Sequence, residues 1–123
     1  MILLTGTSDL VQVITSAAVS TIYVHASYVD HTTTTLTPGR TNVQITTATT
    51  TTIVASPAAS TQRQVKTLTI RNSHASSSNT ITIQHTDGST VAELLKYTLL
   101  AGETIQYADG EGFTVIDSSG SRK

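Results

Sequence analysis

Residues 65–85 read VKTLTIRNSHASSSNTITIQH, and the period of this stretch decides the fold class. In its first half Leu68 and Ile70 fall on one side of an extended chain, with Thr67, Thr69 and Arg71 on the other. Its second half repeats the pattern, setting Ile81 and Ile83 against Thr80, Thr82 and Gln84. A helix would scatter these residues around its circumference, whereas a strand gathers the apolar ones on one face. The threonines add to the bias, because a β-branched side chain loses rotamer freedom in a helix and fits a pleated surface. Two strands are therefore expected, Val65 to Asn72 and Asn79 to His85, with SHASSS between them as a polar hairpin loop.

The same grammar extends toward the C-terminus. Asp87-Gly88-Ser89 is a tight turn, since Asp and Gly tolerate the positive φ that hairpin turns require. Val91 to Leu100 contains good helix formers, yet Leu95, Tyr97 and Leu99 alternate, which favours a strand. Ala101-Gly102-Glu103 turns into a strand from Thr104 to Tyr107, and Asp109-Gly110-Glu111-Gly112 turns into another from Phe113 to Ile116. The polar residues 118–123 are expected to form a loose tail.

Toward the N-terminus, Leu10 to Thr15 and Ser20 to Val29 read as strands joined near Ala17-Ala18. His31 to Arg40 ends in Pro38-Gly39 and is expected to be a loop, because Pro presets φ and Gly accepts a turn conformation. Thr41 to Ala55 reads as a strand, a polar bend and a second strand, and Ser56 to Gln64 as a connector. About eight to ten short strands with turns every eight to twelve residues predict one all-β domain over residues 1–123, an antiparallel β-sandwich or jelly-roll-like barrel.

Composition narrows the function. Charged residues are only 12% of the chain and Thr about one residue in five, so the exterior is coated with hydroxyls in place of ion pairs. Hydroxyls cost less to desolvate than charges and can hydrogen-bond across a contact, which suits burial between subunits. A net charge of −1 supplies no attraction for nucleic acid or an anionic membrane. With no Cys there is neither a disulfide nor a thiolate metal site. Met1-Ile2-Leu3-Leu4 is too short to span a membrane and lacks a basic flank, so no signal peptide is expected.

No constellation of catalytic residues stands out, and no enzyme activity or cofactor is expected. Ser, His and Asp all occur, but without a G-x-S-x-G elbow. His85-Thr86-Asp87 and Asp30-His31 offer pairs of metal-ligand types, short of the roughly four that a closed site needs; strand end and turn explain the first pair as well. His25 shares the face of Tyr23, and His74 lies in a loop, so each reads as an ordinary exposed or interface residue. Asp109-Gly110-Glu111-Gly112 lacks EF-hand spacing and reads as a hairpin loop. The eight acidic residues sit mostly at turns, with no pair placed for glycosidase chemistry, and no phosphate-cradling glycine motif is present. Arg40, Arg63, Lys66 and Arg71 form the one basic cluster, expected to make salt bridges to an acidic neighbour. Residues 1–8 are expected to be an arm whose Ile2, Leu3 and Leu4 pair with a neighbouring chain.

Taken together, a strand ending in I-R-N, a polar loop, a strand closed by D-G, then L-x-A-G-E-T-I and a final G-F-T-V-I-D resemble the C-terminal half of small virion proteins of tailed phages and prophages. The opening MILLTGTSDLVQVITSAAVSTIYVHASYVD and the segment TTATTTTIVASPAASTQRQVKTL are similar to that group as well. The resemblance implies a structural part of the particle with no active site. The implied place is that of a head decoration or cement protein, or else of a neck, tail or tail-fibre component. A separate expectation is a receptor- or glycan-binding module on a tail fibre, which would use a loop such as His31 to Arg40 or Ser73 to Ser78. The partners of the virion part would be phage structural proteins and further copies of itself. It would be made in the bacterial cytoplasm and end in the virion.

Overall fold

The structure, a computed structural model, describes residues 1–18 and 21–123. Its strands are β1 (Ile2–Leu4), β2 (Leu10–Thr15), β3 (Ile22–His31), β4 (Leu36–Ile45), β5 (Thr50–Val54), β6 (Gln62–Asn72), β7 (Asn79–Thr86), β8 (Val91–Leu99), β9 (Thr104–Ala108) and β10 (Gly112–Ile116). No helix occurs among the described residues. The segment whose composition also suited a helix is β8, because pairing with β7 and burial of Leu99 outweigh intrinsic preference.

All pairings are antiparallel and build two sheets. The larger runs β10-β9-β6-β3-β4 with β1 added beside β6, and the smaller runs β5-β2-β7-β8. Val11 and Val13 of β2 and Ile81 and Ile83 of β7 share one buried cluster with Ile22, Val24 and Ala26 of β3 and with Leu68 and Ile70 of β6. The alternation read at residues 65–85 thus supplies both layers of an all-β sandwich, each buried aliphatic side chain contributing about 1.5–3 kcal/mol.

The central strand is β6. On one side it pairs with β3 along its length, and on the other it is shared by β1, opposite Arg63 to Val65, and β9, opposite Thr67 to Arg71. The β3–β6 register shifts so that Thr67 pairs with Ser27 and Val65 with Tyr28, which leaves Lys66 as an extra, bulged residue. Its carbonyl accepts the amide of Asp109 at 2.9 Å, in the gap between β1 and β9.

Several expectations are corrected. Pro38-Gly39 is not a turn: both lie within β4, opposite Val29 and Tyr28, and the β3–β4 turn is made by Thr32 to Thr35. Pro38 is tolerated because β4 is an edge strand. Gly39 is needed because a Cβ there would stand 2.5 Å from the Tyr28 ring. Residues 62–64 belong to β6, not to the connector before it. SHASSS is not a hairpin loop, since β6 and β7 lie in different sheets and the segment crosses between them. Ser20, read as the start of the third strand, falls outside the described residues.

Buried polar side chains organise the crossings between sheets. Between β1 and β2, the Asp9 carboxylate accepts the amides of Thr5 and Gly6 at 2.8 and 3.0 Å. Between β6 and β7, Asn72 is fully buried, donates to the carbonyls of Ser77 and Leu99, and accepts the amide of His74. Between β8 and β9, the Glu103 carboxylate accepts the amide of Leu100 at 2.8 Å. Each carries a side-chain acceptor to backbone groups that neither sheet can satisfy.

Candidate assembly surface

The residues expected to contact other subunits divide sharply by environment. Leu4 is fully buried in the core and Ile2 packs against it, while Leu3 is exposed, so residues 1–8 do not hang free as an arm. Ile2, Leu3 and Leu4 pair with Val65, Gln64 and Arg63 of their own chain. The apolar trio read as a sticky terminus is a strand of its own sheet, because the lower half of the β6 edge lies within its reach.

The four basic residues likewise do not form one patch. Arg63 grips Asp30 with two bonds of 2.7 and 2.9 Å, donates to the Ala55 carbonyl, and lays its guanidinium 4.1 Å from the Tyr28 ring centre. The Asp30 carboxylate hydrogen-bonded to it raises the pKa of the guanidinium. Lys66 pairs with Asp109 at 3.2 Å, and Arg71 donates to the Gly102 carbonyl and Thr104 hydroxyl. The expected acidic neighbours of Arg63 and Lys66 are supplied by the same chain. Arg71, held by neutral acceptors, and Arg40, exposed on β4, have no ion-pair partner among the described residues.

The candidate chemical residues are placed as turn and strand elements. Asp87 accepts the amides of Ser89 and Thr90, which lower its pKa and close the β7–β8 hairpin. Asp30 is held by Arg63. His85 pairs with Val11 and Ala92 across its neighbouring strands, and its enclosed Nε2 has no hydrogen-bond partner among the described residues. His74 is half-buried and accepts the amides of Ser76 and Ser77 on Nδ1, so the crossing bends around its ring. Asp109 to Glu111 form the β9–β10 turn, with Gly110 and Gly112 at φ of 88° and 82°. No three His, Asp or Glu side chains converge in metal-binding geometry among the described residues.

The residues 118–123, read as loose, are fastened. Ile116 bridges to Arg122, the Lys123 amide donates to the Val115 carbonyl, and its ammonium lies 2.6 Å from the buried Glu103 carboxylate and 3.0 Å from the Tyr97 hydroxyl. Burial pushes the Glu103 pKa up, but Lys123 and the Leu100 amide outweigh it and leave the carboxyl below its ordinary value.

Two surfaces remain open. The outer face of the larger sheet carries Tyr23, His25 and Ser27 on β3, Arg40, Asn42 and Gln44 on β4, and Thr67, Thr69 and Arg71 on β6. Its shallow groove of about 520 Å³ is lined by Tyr23, His25, Asn42, Gln44, Thr69 and Arg71 among others. The His25 Nδ1 lies 2.6 Å from the Asn42 Oδ1. The second is the β8 edge, where Val91 is exposed and Leu94 is exposed beside Met1 and Leu3.

Comparison with known proteins adds no relative: no family model matches the chain, and neither a curated protein nor a solved structure matches it.

Proposed function

We propose that this chain is a structural subunit of a tailed-phage virion, a decoration or cement protein that binds the assembled head and has no enzymatic role. One observation carries the reading: a two-sheet domain whose outer faces present mainly hydroxyls and amides and few charges, of which Arg63, Lys66 and Lys123 are paired within the chain. Such a surface loses little solvation when covered, and the motif resemblance at residues 65–117 supports a virion role. Binding only the assembled shell stabilises that shell by mass action, and repeated copies would follow the symmetry of their partner. Antibody labelling of purified particles carrying this chain tests it. Labelling over the head is expected; labelling confined to the tail transfers the chain to a neck or tail role, and its absence from every particle overturns the reading.

A second reading, a glycan-binding module of a tail fibre, is favoured by the groove around Tyr23, which is 50% exposed and flanked by amides and Arg71. Residues 36–40 are strand, and residues 73–78 are an internally bonded crossing. Binding on a glycan array that is lost in Tyr23→Ala would support it.

A further inference from the structure

We propose that β8 pairs edge to edge with β8 of a second copy of this chain about a two-fold axis, joining two four-stranded sheets into one continuous sheet. The inference rests on the assembly reading and assigns it a particular edge and partner.

The edge strands differ in how they are protected. β4 carries Pro38, β10 is bonded along its flank by residues 122 and 123, and β5 and β1 are only five and three residues long. β8 runs for nine residues with neither Pro nor Gly and has no strand on its outer side. A long open edge of this kind is a template for pairing. Of the exposed large apolar side chains among the described residues, Val91, Leu94 and Leu100 lie on or just after β8, and Met1 and Leu3 border its first half.

The register follows from a bulge. Ile83 pairs with Leu95 and Gln84 with Glu93, which leaves Leu94 as an extra residue in β8. In a regular strand, residues three apart face opposite sides and turn their backbone groups toward opposite edges. The extra residue cancels that offset, so Glu93 and Lys96 share the outer face and the same hydrogen-bonding sense. Both are exposed, and neither has an ion-pair partner among the described residues. A bulge ordinarily blunts an edge, but here it is what aligns opposite charges. With the axis between Leu94 and Leu95, each Glu93 meets the partner's Lys96, and Ala92 and Val91 meet the partner's Tyr97 and the partner's Thr98. Registers centred on Glu93 or on Lys96 would set like charges face to face.

Sedimentation velocity of the isolated full chain tests this. The wild type should dimerise with rising concentration, and amide exchange across residues 91–98 should slow as it does so. Glu93→Lys and Lys96→Glu each convert two attractive pairs into repulsive ones and should weaken the dimer at least about tenfold. The double variant E93K/K96E restores complementarity and should restore the dimer. A wild type that stays monomeric, exchange across β8 that ignores concentration, single reversals that dimerise as the wild type does, or a folded double variant that remains monomeric would each overturn the proposal. The measurement needs no particle, so it can fail while head labelling succeeds, and the reverse.

Discussion

Gly39 shows what a single missing Cβ does. The Tyr28 ring lies across it, and any larger residue would meet the ring at 2.5 Å. The same ring supports the Arg63 guanidinium, so displacing it also disturbs the Asp30 pair that closes this part of the molecule. Gly39→Ala should therefore lower stability by about 1–3 kcal/mol, measured by urea unfolding with circular dichroism. No loss would mean that the ring moves aside freely. In the sequence, Pro38-Gly39 carries the chemistry of a turn; that the glycine serves a tyrosine on the neighbouring strand is visible only once β3 and β4 are paired.

At the scale of the element, β1 is the segment whose role changes most between sequence and fold. Ile2-Leu3-Leu4 is a short apolar run with no pattern long enough to reveal a partner. The structure gives it the lower half of the β6 edge and places Leu4 wholly in the core. Leu4→Ala should cost about 2–5 kcal/mol, and deletion of residues 1–8, which removes the strand entirely, should lower the melting temperature of the isolated protein. A truncated chain that melts like the full one would return this segment to the role of an arm. β2, β3 and β5 to β10 are legible in advance, most cleanly β6, β7, β9 and β10, whose alternation is least interrupted. In β4 only the second half is legible, through Val43 and Ile45; residues 36–40 are hidden because Pro38-Gly39 carries the chemistry of a turn.

Across the whole molecule, the sheets are joined at crossings that depend on buried carboxylates. Asp9 lies below its ordinary pKa of 3.8, held there mainly by the Gly6 amide against the opposing effect of burial and with help from Thr5. Glu103 lies below 4.5 through the balance of burial and Lys123 already described. A carboxyl depressed on folding contributes stability that is present above its unfolded pKa and is lost as pH falls through its folded value. Melting temperature should therefore hold steady from neutral pH to about pH 5 and fall below about pH 4. Lys123 is shifted the opposite way, raised by Glu103 first and Tyr97 second, so its contribution persists up to its ordinary 10.5 and is lost only above that. Thermal melts between pH 3 and 7 check the acid limb, and a melting temperature unchanged at pH 3 would show that neither crossing depends on its ionised acid.

The alternation of Ile, Leu and Val with Thr, the placing of Asp and Gly, and the scarcity of charge determine by themselves that this chain is all-β and that its exterior is cheap to cover. These are local properties, set by a side-chain period of two and by the solvation of hydroxyls. Which strands share a sheet, why SHASSS crosses instead of folding back, where Arg63 finds its acid, and which edge stays open were decided by tertiary structure alone. Each depends on residues tens of positions apart meeting across a ladder, as Arg63 meets Asp30 and Asn72 meets Leu99, and no local period encodes such a meeting.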